Sequence, residues 1–289
     1  MGRNRSQALI RKKMIIFPNA KINLGLNVIR KRSDGYHDIE SLMLPIQLCD
    51  VLEIIPSPDG QFRFFKSGLP LPDDGKPNLC ERAWQLLRDQ YGIGPVHIFL
   101  HKVIPAGSGL GGGSSDAAFT LKALDQLCNL KLPKDTLVDL ASTLGSDCPF
   151  FIENQTMTVS GRGEIMEPFQ TQTEGLHLLL IVPDVHISTA FAYSKVVPDK
   201  PQQPLLEILQ EPFASWQNHL KNDFEKAVFP EFPKLQEIKN HLLHSGAVYA
   251  SMSGSGSALY GLFEKPVPEL VHQQFADCFV WKEQLQARD

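Results

Sequence analysis

Between residues 21 and 28 apolar and polar positions alternate: Ile22, Leu24, Leu26 and Val28 interleave with Lys21, Asn23, Gly25 and Asn27. A period of two is that of a half-buried strand, so Lys21 and Asn23 are expected side by side on its polar face. Apolar runs predict further strands over 39–47, 51–56 and 61–66, and Val96, Ile98 and Leu100 mark another. Asn78 followed three residues later by Glu81 is a capping-box pair, predicting a helix to about Tyr91 with Gly92 beyond its end. A second helix is expected from Ser114 and Ser115 to about Leu130. A third has Pro133 as its first residue and Gly145 as its stop.

Beyond Pro168 the pattern restarts. Strands are predicted over 177–182, 247–252, 258–263 and near 279–281, with short helices between 188 and 244 and another from Pro266. Strands and helices mix without the regular alternation of a doubly wound sheet, so the fold class is α+β. A length of 289 residues with 43% hydrophobic content supports two domains, read as 14–167 and 168–289. Pro198, Pro201 and Pro204 mark an exposed connection inside the second. Residues 1–13 read as an extension. Its basic residues (Arg3, Arg5, Arg11, Lys12, Lys13) precede too short an apolar stretch for a signal peptide.

A net charge of −4 leaves no basic footprint for nucleic acid, so an acidic ligand must be held by local amides and a few cations. The longest apolar runs, such as 176–182, are far below membrane-spanning length. Five scattered cysteines with no C-x-x-C spacing point to free thiols in a reducing cytoplasm. The oligomeric state has no signature in the sequence.

The chemistry concentrates in Pro105-Ala106-Gly107-Ser108-Gly109-Leu110-Gly111-Gly112-Gly113-Ser114-Ser115-Asp116. Five glycines in seven residues free the backbone to present successive N–H groups. A helix start follows at once, which makes an anion site of amides and dipole. Gly107, Gly109 and Gly112 fit G-x-G-x-x-G, but Pro105 interrupts the strand exit and no acidic strand end lies some twenty residues on, as a dinucleotide fold needs. Gly113 stands where a Walker A loop needs lysine.

The whole string resembles the phosphate loop of the GHMP small-molecule kinases, P-x-x-x-G-L-G-S-S-A-A. Asn19-Ala20-Lys21-Ile22-Asn23-Leu24 is similar to the family's first motif, and Ser253-Gly254-Ser255-Gly256-Ser257 to its third. Two further segments, Asp34-Gly35-Tyr36-His37-Asp38 and Gly145-Ser146-Asp147-Cys148-Pro149, narrow the resemblance to a branch whose acceptor alcohol carries a cytidine diphosphate. The resemblance runs from Met14 to the C-terminus. It implies two α+β domains with the active site in the cleft between them, ATP and Mg²⁺ as cofactors, and a small-molecule acceptor.

It also implies roles for single residues. Pro105 through Ser115 would hold ATP, with Asn78 at the adenine, although capping a helix explains Asn78 equally well. The Ser114 or Ser115 hydroxyl would meet phosphate or Mg²⁺, or cap the helix. Asp116 departs from the small or neutral residue of many relatives. It is expected to point away from the nucleotide or to act through a metal. Asp147 would be the catalytic base and Lys21 its partner at the transferring phosphoryl group. Tyr36 and His37 would bind the cytidine end, with Tyr193 stacking on the opposite face of the base. Asn23 and Thr189 would contact the rest of the acceptor. Gly254 and Gly256 would pass close to substrate or to the glycine loop. Two other readings remain open on these residues: a GHMP kinase with homoserine, mevalonate or a sugar as acceptor, and a non-catalytic nucleotide or metabolite sensor.

Overall fold

A computed structural model describes residues 13–72 and 75–286. The extension expected before Met14 lies outside the described residues apart from Lys13. The first half contains β1 (Met14–Ile16), β2 (Asn19–Lys31), β3 (His37–Cys49), β4 (Val51–Pro56), β5 (Arg63–Gly68), α1 (Leu79–Tyr91), β6 (Val96–Lys102), α2 (Gly112–Cys128), α3 (Lys134–Leu144), α4 (Cys148–Glu153), β7 (Met157–Gly161) and β8 (Ile165–Pro168). The second contains β9 (His177–Val182), α5 (Thr189–Lys195), α6 (Leu205–Ile208), α7 (Phe213–His219), α8 (Asp223–Val228), α9 (Pro233–His244), β10 (Tyr249–Met252), β11 (Leu259–Phe263), α10 (Glu269–Gln273) and β12 (Phe279–Gln284).

Three four-stranded sheets result, in the orders β1-β4-β6-β5, β2-β3-β7-β8 and β10-β11-β9-β12. Only the β5–β6 pair is parallel among those described. Helices α1 to α4 close one core over the first sheet, where Leu52, Ile54, Val96, Ile98 and Leu100 meet Leu87, Leu121 and Phe150. A second core lies between the other two sheets, with Leu42, Leu44 and Ile46 facing Leu178, Leu180 and Tyr260. Helices α8 and α9 cover the far side of the third sheet, against Leu179 and Ile181. Both faces of β9 are thus covered, which is why residues 178–182 are apolar without interruption.

The α+β class holds, and β4 has the bounds expected. The capping box at Asn78 is formed: its side chain accepts from Cys80 N–H, Glu81 accepts from the Asn78 N–H, and Gly92 closes α1 in the left-handed conformation. Three local expectations are corrected. Helix α2 begins at Gly112 rather than at the serines, because Gly111 supplies the left-handed turn before it. Pro133 sits just outside α3 as its cap, with an extended ψ that leaves Lys134 as the first helical residue. Strand β2 is buried on both faces, Lys21 and Asn23 included. The glycine loop lies across its polar side, where Lys21 N–H donates to the Leu110 carbonyl.

Candidate active site

The glycine loop is held from three directions. Gly109 has φ +81°, and a Cβ there would stand 2.1 Å from the Ser253 carbonyl oxygen, so only glycine fits. The Gly109 carbonyl accepts from Ser253 Oγ (3.0 Å) and from Lys21 Nζ (2.9 Å), and the Ser108 carbonyl accepts from Ala258 N–H. The turn containing Gly254 and Gly256 therefore packs directly on the loop, and both glycines also line a cavity beside it. Ser115 N–H closes the first helical bond of α2, to Gly111. The amides of Gly112, Gly113 and Ser114 occupy the first turn, where no intrahelical acceptor exists.

Two cavities of about 900 and 820 Å³ meet at this loop and share Gly107, Gly109, Gly111, Ser114 and Thr189. Each is of the size that takes a small organic ligand. The first is bounded by the loop from Pro105 to Ser114, by Asn78 and by α1 and β5. It gathers Arg63, Lys66, Lys76 and Arg82 against Glu81, with Lys102 and Asp116 paired beneath them, so a chain of net negative charge presents a cationic wall here. The second contains Lys21, Asn23, Tyr36, His37, Ser146, Asp147, Thr189 and Tyr193.

Lys21 and Asp147 come together as expected, with Nζ 3.7 Å from Oδ2. Strand β2 delivers the lysine and the N-terminus of α4 the aspartate. Lys21 Nζ also donates to Asn23 Oδ1 (2.5 Å), and Asn23 Nδ2 donates to Ser41 Oγ (2.8 Å). Asn23 thus orients Lys21 as well as facing the cavity. Burial pulls the Lys21 ammonium below the ordinary lysine pKa, with Asp147 opposing that pull.

The other expected residues divide by environment. Ser114 lines both cavities, whereas Ser115 is fully buried and lines neither, its Oγ without a hydrogen-bond partner. Ser108 spends its hydroxyl on the Pro105 carbonyl (2.7 Å), and Leu110 is a core residue under the loop. Ala106 forms part of the wall of the first cavity. Thr189 opens α5 with its hydroxyl 3.2 Å from Ser255 Oγ.

His37 and Tyr193 stack on each other, centroids 4.9 Å apart and planes 25° from parallel. A base inserted between two rings needs roughly 7 Å, two van der Waals contacts of about 3.5 Å each. His37 and Tyr193 at this spacing therefore leave no room for a base between their two rings. Burial raises the Tyr193 phenol to about 12 and holds the His37 imidazole below its ordinary value, with Lys31 adding to the latter. Tyr36 is 58% exposed, at the rim of the second cavity.

Asp116 turns beneath the loop instead of facing a ligand through solvent. It pairs with Lys102 Nζ at 2.8 Å, and Lys102 also pairs with Asp50, whose Oδ1 accepts from Val103 N–H (2.6 Å) and Ile104 N–H (2.9 Å). Burial works against the Lys102 ammonium, but Asp116 and Asp50 outweigh it and hold its pKa above the ordinary value. Burial in turn raises Asp116 well above the ordinary carboxylate range, and Asp50 adds to that. One cation thus serves two enclosed carboxylates. Neither Lys102 nor Asp50 was singled out from the sequence, yet Lys102 continues the parity of Val96, Ile98 and Leu100 and so had to point inward.

With this geometry in place, the relatives are informative. The pattern of the GHMP kinases N terminal domain matches residues 78–155, and that of the GHMP kinases C terminal matches residues 205–280. A Parabacteroides distasonis protein named 4-diphosphocytidyl-2-C-methyl-D-erythritol kinase is 47% identical over 94% of this chain and 100% of its own length. The chain belongs to the GHMP kinases. It is an ATP-dependent small-molecule kinase of that family, with ATP as co-substrate. A Chlorobium phaeobacteroides protein of the same name is 42% identical over 85% of this kinase and 87% of its own length. A crystal structure of 4-(cytidine 5'-diphospho)-2C-methyl-D-erythritol kinase superimposes with TM-score 0.78 at 32% identity, over 93% of this kinase and 98% of that chain. A homoserine kinase from Cytophaga hutchinsonii shares the fold at 16% identity, with TM-score 0.62 over 94% of this kinase and 95% of that chain.

Among the described residues no helix is long and apolar enough to cross a membrane, and no group of three or more His, Cys, Asp or Glu is placed to hold a metal. Sequence reasoning also passed over Arg162, which lines the second cavity from the β7–β8 turn. The Gly-Arg-Gly run at 161–163 was its only local signal.

Proposed function

We propose that this kinase transfers the γ-phosphoryl group of ATP to the 2-hydroxyl of 4-diphosphocytidyl-2-C-methyl-D-erythritol, a step of the non-mevalonate isoprenoid route. The observation that carries the reading is the meeting of two ligand-sized cavities at one glycine loop, with the Lys21–Asp147 pair in the second. The relatives that share this acceptor in their names support the choice of substrate.

In this reading ATP occupies the cationic cavity, its phosphates on the Gly107–Ser114 amides and its base near Asn78. Phosphoryl transfer asks mainly for positioning and charge stabilisation. Asp147 accepts the hydrogen bond of the acceptor hydroxyl and aims it. A carboxylate of pKa about 4 cannot deprotonate an alcohol of pKa about 16 in advance, since roughly 12 units cost about 16 kcal/mol. The proton therefore reaches Asp147 late, as the bond to phosphorus forms. Lys21, fixed by Asn23 and the Gly109 carbonyl, stabilises the charge on the moving phosphoryl oxygens.

Ser114 lines both cavities where they join, and its hydroxyl is the group this chain would offer a Mg²⁺ ion that arrives with the nucleotide. Such an ion would neutralise part of the phosphate charge. Tyr36 and His37 receive the cytidine end, and Thr189 the diphosphate or methylerythritol. The two families of cavity-lining residues come from chain segments 14–167 and 168–289, the division we assign to the two domains. Five free thiols fit a reducing cytoplasm as the working compartment.

Asp147→Asn tests the mechanism. Turnover should fall by about 10²–10⁴ while ATP affinity, measured by calorimetry, stays within about twofold of wild type. Turnover near the wild-type value would remove Asp147 from the reaction.

A further inference from the structure

The acceptor of the proposed reaction carries a diphosphate, so the second cavity has to hold two negative charges. The lysines and arginines among its described lining residues are Lys21 and Arg162. Lys21 is already committed: buried, paired with Asp147 and bonded to Asn23 and Gly109. Arg162 is differently placed. It sits in the tight turn between β7 and β8, where Glu164 accepts from its backbone N–H and Gly163 N–H donates to the Ser160 carbonyl. The register of β7 on β3 pairs Gly161 with Ile39, which sets the turn next to the Tyr36-His37 segment. The guanidinium accordingly lies over the Tyr36 ring, 5.0 Å from its centroid.

That position conflicts with the proposed use of Tyr36. A pyrimidine stacking on the face the guanidinium covers must displace it, and a displaced arginine in this cavity has an anionic group to meet. Guanidinium and phosphate match in a two-pronged, charge-assisted geometry that lysine does not reproduce. The long side chain is exposed and its backbone is held in a hydrogen-bonded turn, so moving its head requires no rearrangement of the fold.

We propose that Arg162 is a substrate-binding and specificity-determining residue, which covers the Tyr36 face in the free protein and grips the diphosphate of the cytidyl acceptor when the base stacks. This rests on the reading of the second cavity as the acceptor site. Arg162 holds substrate and takes no part in proton or phosphoryl movement, so it governs acceptor affinity and leaves ATP affinity alone.

The test compares wild type with Arg162→Ala and Arg162→Lys in steady-state kinetics, with cytidine diphosphate and cytidine as competitive inhibitors against the acceptor. Arg162→Ala should raise the acceptor KM and the cytidine diphosphate inhibition constant roughly tenfold, the scale of one charge-assisted hydrogen bond at a half-exposed site. The ATP KM and the cytidine inhibition constant should stay within about twofold, since cytidine has no phosphate to lose. Arg162→Lys should recover part of the loss, and it carries the comparison if the alanine variant is unstable. Equal weakening of both inhibitors would mean that Arg162 acts on the base and would overturn the proposal, as would unchanged constants for both. A wild-type protein that does not turn over the cytidyl acceptor overturns the acceptor assignment itself, separately from any property of Arg162.

Discussion

Replacing Lys102 by methionine should be among the most damaging single changes outside the reacting groups. The side chains of Lys102, Asp50 and Asp116 are 1%, 0% and 2% exposed, so the three charges have little access to water. Methionine fills nearly the same volume, and the effect is therefore electrostatic. With the ammonium gone, Asp50 keeps two backbone N–H donors, but Asp116 has no counter-charge and must keep a proton or remain ionised in an apolar enclosure. Breaking a buried pair by removing one partner costs about 3–5 kcal/mol, equivalent to roughly 6–20 °C in melting temperature for a chain of this size. Because Lys102 stands under the first turn of α2, 3.3 Å from where a Gly112 Cβ would be, the loss should also loosen the phosphate amides and weaken ATP binding. The assay is thermal unfolding followed by circular dichroism, with ATP affinity measured on the variant below its melting point. The double variant Lys102→Met/Asp116→Asn should regain part of the lost stability, since it removes the carboxylate left with neither donor nor counter-charge and keeps only Asp50, which retains its backbone donors. A single variant that melts within about 2 °C of wild type, or a double variant less stable than the single, would refute the assignment of Lys102 as the shared counter-ion.

Three further outcomes follow from the site. Tyr36→Ala should raise the acceptor KM roughly 5- to 150-fold, the range of one base–aromatic stack; ATP KM and melting temperature should hold, because the ring is mostly exposed, and parallel losses in all three would mean a folding role. Gly109→Ala sets a Cβ against the Ser253 carbonyl at positive φ, so it should lower the melting temperature and raise ATP KM together; a variant like wild type would show that the loop is not clamped there. Burial lowers the Lys21 pKa, and its catalytic charge is lost as pH rises through that lowered value; kcat measured from pH 7 upward should therefore decline before the ordinary lysine value of about 10.5, and a rate flat to that pH would contradict the role of the ammonium.

Much of this site was readable from single stretches of chain. The glycine loop, the capping box at Asn78 and the apolar run of β9 each carry their reason locally: amides in sequence, a side chain three residues from its partner, two covered faces. What escaped depends on distant segments. The polar side of β2 is buried because residues 107–113 return to lie on it, and alternation alone cannot distinguish solvent from a glycine loop. Lys102 followed the inward parity of β6, but its partners Asp50 and Asp116 come from either side of the strand in sequence. The contact between His37 and Tyr193 joins residues 156 positions apart, and ring spacing is a property of that meeting rather than of either segment. Helix α4, which is not among the elements expected from the sequence, is what carries Asp147 to Lys21.

The central claim is best tested by ADP release coupled to a spectroscopic readout, with Mg·ATP and 4-diphosphocytidyl-2-C-methyl-D-erythritol beside uncytidylylated methylerythritol phosphate, mevalonate and homoserine. Turnover confined to the cytidyl compound, with the new phosphate located on the 2-hydroxyl by phosphorus NMR, is the result this account predicts. Turnover of another acceptor at a comparable kcat/KM, or none with any acceptor while ATP still binds, would contradict it.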